Sequence, residues 1–385
     1  MLVFVQAVLV LFLLSASGGQ QCKNDLGEPV DWFIAYKIPM LKNQTNNFIK
    51  KGIGYMYISS QNSTADWKLS SRSVNDSNSF LGQTLAPLYK ASFKDLFYIM
   101  YNDEPPNVPG NNLYGHSKGV VITNGTVGVW LIHSSPKFPI EPVTTKKLNI
   151  TVGVLREKVK NKYFFPKTAA RFGQSFLCLS LPANQMNKVG LALQYIRPKI
   201  YSSNVPPSLE LKFLELVSAA MKKYVQKPPY RKKIPLKTLG GRDFVSYAKS
   251  KEFNKDLYSD WLASDLQSDL DVEAWSNGRN ELPSDCNKKF HVMDVKAVSI
   301  KADSQDLEFK NSQDHSKWAI TINSNKSVVC IGDINRMLAQ FKRGGGTVCY
   351  KNAFVWKKYA KSVAAVQPCP RVKPKGFFSK IFSLF

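Results

Sequence analysis

The tripeptide His-Ser-Lys occurs twice in the chain, at residues 116–118 and 315–317, and each copy opens a segment with the pattern of a β-hairpin. After the first copy, a β-rich run leads to Asn124-Gly125, and a second β-rich run returns to Ile132. After the second copy, a similar run leads to a polar turn at 323–326 and returns to Ile331. Asn-Gly and polar turns between β-rich runs predict hairpins. Each half of the chain is therefore expected to contribute one hairpin.

Both predicted turns carry the glycosylation signal Asn-x-Ser/Thr, at Asn124 and Asn325. A glycan requires a solvated turn, so the two His-Ser-Lys segments should lie at the opposite, inner ends of the hairpins. A two-fold arrangement of the halves would bring these inner ends face to face. Short β-type runs alternate with helical ones elsewhere, which predicts a mixed α/β fold.

Histidine is rare, with four copies, and two of the four begin His-Ser-Lys. Residues i and i+2 of a strand project to the same face, which would place His116 beside Lys118 and His315 beside Lys317. Two such pairs facing each other suit a phosphodiester. The lysines would hold the non-bridging oxygens, one neutral imidazole would attack phosphorus, and one protonated imidazole would donate to the leaving oxygen. These four residues are the predicted catalytic set.

Basic residues outnumber acidic residues by 53 to 28, which gives a formal net charge of +25. This excess favours a polyanionic partner, either nucleic acid or an anionic membrane, and disfavours an acidic scaffold. With 44% apolar residues, the 385-residue chain has enough material for a sizeable core. No His/Cys or Asp/Glu spacing is typical of a metal centre, so we expect no metal and no other cofactor.

Residues 1–19 have the pattern of a secretory signal peptide, an apolar run followed by small residues. Six cysteines without a Cys-x-x-Cys pair predict three disulfides in an oxidising compartment, and the sequence alone leaves all fifteen pairings open. Six glycosylation signals fit secretion: Asn43, Asn62, Asn75, Asn124, Asn149 and Asn325. We expect a protein of the secretory pathway, lysosomal or secreted.

Composition divides the remaining chain into four parts. Residues 20–221 contain the first His-Ser-Lys copy, and residues 241–370 contain the second. Residues 222–240 are rich in Lys, Arg and Pro and are expected to form a basic connector, either bound to a DNA backbone or solvated. Residues 257–270 have the amphipathic spacing of a surface helix. The basic, aromatic tail 371–385 is too short to span a membrane, and it either contacts an anionic membrane or is disordered.

Further segments accompany the two motifs: 27–32, 101–106, 130–139, 170–174, 282–286, 332–336 and 343–347. As a set they resemble the deoxyribonuclease II branch of the phospholipase D superfamily, the acid endonucleases of lysosomes, phagocytes and some venoms. The resemblance covers nearly the whole mature chain. The wider superfamily has an aspartate five residues after each motif lysine, where this chain has Thr123 and Ile322. The deoxyribonuclease II branch is similar in lacking it, which leaves open what orients each imidazole.

The resemblance implies a single-chain pseudo-dimer, with a helix-flanked β-sheet in each half and the active site between the halves. It implies metal-independent cleavage of double-stranded DNA at acid pH to 3′-phosphate and 5′-hydroxyl ends, used in degrading engulfed or apoptotic DNA, without an obligate protein partner. It also implies the disulfides Cys22–Cys178, Cys286–Cys369 and Cys330–Cys349. Two other functions stay open: a secreted glycoprotein that binds polyanions without catalysis, and a phosphodiesterase that acts on lipid headgroups.

Two residues follow the return runs of the hairpins at similar places, His133 and Asn335. Each is a candidate for supporting the catalytic histidines or contacting phosphate, and for His133 a buried structural role is the alternative. The segment Arg343-Gly-Gly-Gly is expected to be a turn before a strand rather than a phosphate cradle.

Overall fold

The computed structural model describes residues 20–142, 162–303 and 305–369. In these ranges the chain forms two large β-sheets with helices packed around them, which confirms the mixed α/β class. The first sheet takes its strands from residues before 205, here called the first half, and the second sheet from residues after 230, the second half. The predicted signal peptide, Asn149 and the tail 371–385 lie outside the described residues.

The first half contains ten strands: β1 Cys22–Lys23, β2 Pro29–Val30, β3 Trp32–Lys37, β4 Tyr55–Ser59, β5 Lys68–Leu69, β6 Phe97–Asn102, β7 Lys118–Thr123, β8 Val127–His133, β9 Gln174–Pro182 and β10 Ile200–Asn204. Strands β1 and β2 form a small pair, and the large sheet has the order β10-β6-β7-β8-β9-β3-β4-β5. Strands β7 and β8 are antiparallel neighbours around Asn124-Gly125, where Gly125 has a φ of 98°. The first predicted hairpin is confirmed.

The second half contains nine strands: β11 Arg231–Lys237, β12 Asp243–Lys249, β13 Leu270–Glu273, β14 Val292–Ala302, β15 Gln305–Lys310, β16 Trp318–Thr321, β17 Val328–Gly332, β18 Gly345–Lys351 and β19 Val363–Val366. The order is β11-β12-β18-β17-β16-β13-β14-β15, and β19 pairs with β14. The second predicted hairpin is confirmed as β16 and β17.

Five consecutive strands have the same arrangement in the two sheets. In the first sheet β6, β7, β8, β9 and β3 lie side by side, and every neighbouring pair is antiparallel. In the second sheet β13, β16, β17, β18 and β12 do the same. The hairpin occupies the second and third places in both, so the two His-Ser-Lys segments occupy matching positions.

Eight α-helices surround the sheets in the described residues: α1 Asn47–Lys50, α2 Phe80–Leu85, α3 Ala183–Ile196, α4 Pro207–Glu210, α5 Leu214–Ala220, α6 Ala263–Leu266, α7 Leu338–Phe341 and α8 Ala353–Ser362. None of the helices in the described part of the chain has both the length and the apolar character to cross a membrane.

The largest hydrophobic core is shared by the two sheets. Trp32 of β3 packs edge-on against Tyr350 of β18 with ring centroids 5.2 Å apart, and Tyr350 stacks on Phe244 of β12 at 4.3 Å. All three side chains are buried. Burial of aromatic surface between the sheets holds the two halves together and fixes the relative positions of residues that lie between them.

Two sequence-based expectations are wrong in part. The expected connector 222–240 includes strand β11. Only Ile234 and Leu236 of this strand are buried, so its alternation of apolar and polar residues is too short to be recognised among the exposed basic residues. The expected surface helix 257–270 is a short helical segment that ends at Gln267, which has a left-handed φ of 51°. Leu257, Trp261 and Leu262 are buried, Leu266 is half-buried, and Leu270 already belongs to β13.

The six cysteines form the three pairs that the resemblance implied, Cys22–Cys178, Cys286–Cys369 and Cys330–Cys349. Among the glycosylation signals in the described residues, the asparagines 43, 75, 124 and 325 are exposed. Asn62 is half-buried and its side-chain oxygen accepts the Ser59 N–H at 2.7 Å, so it is the least accessible of the five.

Candidate active site

The two His-Ser-Lys segments lie at the inner ends of their hairpins. Lys118 opens β7, whereas His116 and Ser117 precede it, and all of residues 315–317 precede β16. The expectation that His and Lys share one strand face by i, i+2 alternation is therefore wrong, because neither histidine belongs to a strand.

Backbone contacts between the halves position the histidines reciprocally. The His116 N–H donates to the Gly344 carbonyl at 2.8 Å, and the His315 N–H donates to the Gly173 carbonyl at 2.9 Å. Gly344 and Gly173 each stand one residue before a matching strand, β18 and β9. Each half thus holds the histidine of the other half at an equivalent place.

Backbone carbonyls from the opposite half also orient the imidazole rings. His116 Nδ1 lies against the Asp333 carbonyl, and His315 Nδ1 lies 3.0 Å from the Ser134 carbonyl. Ser134 and Asp333 each directly follow the return strand of a hairpin. A carbonyl only accepts hydrogen bonds, so Nδ1 carries the proton and a neutral ring keeps its Nε2 lone pair for chemistry. These carbonyls orient the rings without the aspartates that the wider superfamily has.

A buried ion cluster surrounds His116. The Lys118 ammonium pairs with Asp103, which also accepts from Arg343 at 3.0 Å and lies 3.9 Å from His116 Nε2. Burial raises the pKa of Asp103, but Lys118, His116 and Arg343 outweigh burial and hold it well below its usual range. Arg343 also donates to the two carbonyls directly before His116. The carboxylate therefore stays ionised in acid and keeps Lys118 in place.

The second lysine lies in a strongly positive environment. Lys317 is fully buried, and its ammonium donates to the His315 carbonyl. Burial, followed by the charge of Lys118, lowers the pKa of Lys317 to about 7. A negatively charged group between the two lysines would relieve this repulsion, so the arrangement favours an anionic ligand.

The two imidazoles differ in the charges around them. Burial lowers the pKa of both histidines well below the usual range. For His116 the next largest influence is Asp103, which favours the charged ring, whereas for His315 it is Lys317, which disfavours it. The strongest charged neighbour is thus an anion for His116 and a cation for His315, while Lys118, Arg343 and Lys317 also lower the pKa of His116.

The site opens to solvent beside His315. His116 is 5% exposed and both lysines are fully buried, whereas His315 is half-buried. Trp275 packs edge-on against the His315 ring with centroids 5.1 Å apart. A phosphate that reaches the buried lysines has to enter below the protein surface, and His315 is the most exposed of the four residues.

Asn335 contacts the candidate catalytic set. Its Nδ2 lies 3.4 Å from His116 Nε2, on the side of the ring that is left for chemistry. His133, by contrast, is fully buried beside the rings of Phe138 and Phe176, where burial and then Lys118 lower its pKa to about 3. This burial leaves His133 no surface for contact with a phosphate.

The expectation that His133 and Asn335 occupy similar places is wrong. The carbonyls of Ser134 and Asp333 make equivalent hydrogen bonds to the two histidines. His133 therefore corresponds to Gly332 in the second half and not to Asn335. Equivalent residues of the two halves are identified by their places in the paired strands, not by their distance in sequence from the His-Ser-Lys motif.

Sequence reasoning missed Asp103 as a partner of Lys118 and took Arg343 as part of a turn. The segment does precede a strand as expected, but only Arg343 and Gly344 lie before it, since β18 already begins at Gly345. The available signal was a pair of charged residues, one two positions after the apolar run 97–101 and one before a run of glycines. Their pairing spans 240 positions, which no local pattern reveals.

One cluster in the described residues has the composition of a metal site, Cys286, His291 and Cys369, with candidate ligand atoms within 4.8 Å of one another. Its two cysteines are joined in a disulfide and therefore supply no thiolates. The residues do not fit a metal at this place.

Comparison with known proteins supports a single family. A family model described as deoxyribonuclease II matches residues 21–369. Plancitoxin-1 from Acanthaster planci is 37% identical over 365 residues, which covers 94% of this chain and 96% of that protein. Deoxyribonuclease-2 from Caenorhabditis elegans is 34% identical, covering 94% and 97%, and deoxyribonuclease-2-alpha from Mus musculus is 34% identical, covering 90% and 93%. The chain therefore belongs to the deoxyribonuclease II family.

Proposed function

We propose that this protein is a metal-independent acid endonuclease that hydrolyses double-stranded DNA to 3′-phosphate and 5′-hydroxyl ends and serves to degrade engulfed or apoptotic DNA. The observation that carries the proposal is the reciprocal site, in which each histidine binds a carbonyl of the opposite half through Nδ1 and lies near a buried lysine. The family and the net charge of +25 support DNA as the substrate.

The chemistry proceeds in two displacements at phosphorus. The Nε2 lone pair of one histidine forms a bond to phosphorus, the bond from phosphorus to the 5′-oxygen breaks, and the second histidine protonates that oxygen. Water then attacks phosphorus, gives its proton to the second histidine, and displaces the first. Lys118 and Lys317 hold the non-bridging oxygens and offset the charge that develops on them.

The charges assign the two roles. Asp103 lies 3.9 Å from His116 Nε2 and favours a proton there, so His116 is the general acid. His315 has lysines as its strongest charged neighbours, is disfavoured as a cation and is the nucleophile. Its half-buried position beside the opening also gives it the more direct approach to an entering phosphate.

The same charges give an acid optimum. The general acid loses its proton as pH rises through the pKa of His116, and the nucleophile gains one as pH falls through the pKa of His315. Burial lowers both pKa values from about 6.5. The rate should therefore have a bell-shaped pH profile with its maximum on the acid side of neutrality, which suits a lysosomal or secreted enzyme of the secretory pathway.

The architecture that supports this function is a pseudo-dimer of phospholipase D type. Five matching antiparallel strands, matching glycines at 173 and 344, and matching carbonyls at 134 and 333 all support it. The active site then lies on the axis that relates the halves, with no cofactor and no obligate protein partner.

The direct test is incubation of the purified protein with supercoiled plasmid at about pH 5 in excess chelator. We expect nicked and then linear DNA with 3′-phosphate ends, and no cleavage by the His116→Ala, His315→Ala double variant prepared in parallel. Cleavage that disappears in chelator and returns with Mg²⁺ would reject the mechanism. Binding of plasmid without cleavage would favour a non-catalytic polyanion-binding protein, and hydrolysis of phosphatidylcholine vesicles instead of DNA would favour a lipid phosphodiesterase.

A further inference from the structure

A row of four side chains leads from the candidate nucleophile to solvent. The Trp275 ring packs edge-on against His315, and the Phe172 ring packs edge-on against Trp275 with centroids 4.8 Å apart. The Arg171 guanidinium lies over Phe172, 5.2 Å from its centroid. Trp275 and Phe172 are half-buried and Arg171 is exposed, so the row keeps open aromatic surface at the entrance of the site.

The positions beside His116 that correspond to the two aromatic residues carry charged side chains. Strand pairing aligns Trp275 with Asp103, because Glu273 faces Trp318 in one sheet and Tyr101 faces Gly119 in the other. The matching carbonyls of Gly173 and Gly344 likewise align Phe172 with Arg343. An Asp–Arg ion pair on one side therefore corresponds to a Trp–Phe pair on the other.

The two sides differ in the groups that they leave available to a ligand. On the His116 side, Arg343 and Asp103 bind each other, and Asp103 also binds Lys118. On the His315 side, two aromatic rings retain exposed surface, and Arg171 has no acidic partner among the ion pairs formed by the described residues. Aromatic faces beside an arginine are the groups that proteins use to stack nucleobases and hold a neighbouring phosphate.

The depth of the site supplies the reason why a base should reach these rings. Both motif lysines are fully buried, so a scissile phosphate must leave the regular course of the backbone to contact them. Displacing a phosphate in this way opens the adjacent base step, at a cost of roughly a few kcal/mol for unstacking. A protein surface that stacks the freed base offsets that cost.

Building on the proposed function, we propose that Trp275 and Phe172 form a nucleobase subsite that stacks the base on the 5′ side of the scissile phosphate, with Arg171 on the next phosphate. The side follows from the roles of the histidines. In an in-line displacement the leaving 5′-oxygen is apical and points away from His315, toward His116, whereas the 3′-oxygen is equatorial. The departing nucleotide is therefore directed to the His116 side, and the retained nucleotide is the one that can place its base beside Trp275.

The test uses short duplexes that contain one cleavable phosphodiester. The linkage on its 5′ side is a charged phosphorodithioate that resists hydrolysis, and the remaining linkages are uncharged methylphosphonates. One duplex has a normal base on each side, and two others have an abasic residue on the 5′ or the 3′ side. We expect Trp275→Ala to raise KM on the normal duplex about tenfold, in the range of base–aromatic stacking, and Trp275→Phe to restore most of the affinity. For the wild type, the 5′-abasic duplex should show a similar rise in KM and the 3′-abasic duplex little change.

The decisive measurement is the rise in KM that Trp275→Ala causes on the normal duplex compared with the rise that it causes on the 5′-abasic duplex. If the base stacks on Trp275, the 5′-abasic duplex should lose much less from Trp275→Ala than the normal duplex does. An equal loss on both duplexes would overturn the subsite and leave Trp275 as a support for the His315 ring. Phe354→Ala, which removes a 54% exposed aromatic ring from α8, serves as the matched control and should leave KM unchanged. Failure of the wild type to cleave any of the duplexes would instead reject the proposed function, and the subsite with it.

Discussion

At the scale of single residues, the site depends on hydrogen bonds that leave Nε2 of each imidazole available. The carbonyls of Ser134 and Asp333 fix the Nδ1 proton, and no side-chain carboxylate is required for that task. Asp103 is free for a different role, as the counter-ion of Lys118 and the charge that favours a proton on His116.

Removing either imidazole should abolish cleavage and leave DNA binding largely intact. We expect His116→Ala and His315→Ala each to lower the rate of plasmid nicking by about three orders of magnitude or more, because each removes a nucleophile or its paired acid. Gel-shift affinity should change little, since basic surface residues carry most of it. His291→Ala is the control, because His291 is half-buried at the start of β14, apart from these contacts. A tenth of wild-type activity in either active-site variant would refute the two-histidine mechanism.

Replacing Asp103 should change the pH profile. In Asp103→Asn the charge that raises the pKa of His116 is gone, so that pKa falls further and the alkaline limb of the rate profile moves to more acid pH. The variant also leaves Lys118 and Arg343 buried without their counter-charge, which should lower the free energy of unfolding by about 3 kcal/mol or more. Rate profiles and thermal unfolding measured between pH 4 and pH 7 check both effects. An unmoved alkaline limb in a folded variant would show that His116 is not the general acid.

Residues with local signals were predictable, and residues with distant partners were not. The two motifs stand out because histidine is rare and the surrounding hairpins repeat. Asp103 and Arg343 gave no such signal, since their contact joins residues 240 positions apart. The alignment of Asp103 with Trp275 requires the strand register, which the sequence does not contain.

At the scale of elements, the hairpins were predictable from alternation and turn residues, whereas β11 and β13 were not. Strand β11 has two buried residues among exposed basic ones, and β13 follows a helical segment whose apolar spacing continues into Leu270. Tertiary pairing decides both cases, because β11 lies beside β12 and β13 lies between β14 and β16.

A buried lysine at the end of one strand fixes the segment before the next. In the first half, Lys37 at the end of β3 donates to the carbonyls of Ala169 and Ala170, ahead of β9. In the second half, Lys249 at the end of β12 donates to the carbonyls of Gln340, Phe341 and Arg343, ahead of β18. These segments carry the glycine carbonyls that hold His315 and His116, so the lysines position the histidines indirectly.

Replacing Lys249 should therefore affect stability and rate together. Lys249→Met keeps the length of the side chain but removes one donor from each of three carbonyls, of which that of Gln340 keeps the Arg343 N–H. We expect a loss of about 2–4 kcal/mol in the free energy of unfolding. The rate constant kcat should fall more than KM changes, because the His116 backbone loses its anchor at Gly344. Lys237→Met, at an exposed lysine of β11, is the matched control and should alter neither quantity. A destabilised variant with unchanged kcat would confine Lys249 to a structural role.

At the scale of the whole molecule, the active site exists only where the halves meet. His116 binds backbone of the second half, His315 binds backbone of the first, and the shared core around Trp32 and Tyr350 sets their separation. The matching strands carry equal His-Ser-Lys segments, but the surroundings of the two segments differ. One side has an ion pair and the other an aromatic pair at matching positions.

The central claim is a covalent phosphohistidine between the DNA and the enzyme, and the stereochemistry at phosphorus tests it most directly. Two in-line displacements, the first by His315 and the second by water, invert the configuration twice and give net retention. DNA with a phosphorothioate of known configuration, cleaved in isotopically labelled water, should yield a 3′-product with retained configuration. Inversion would mean direct attack by water, and it would contradict the account even if both histidines proved essential.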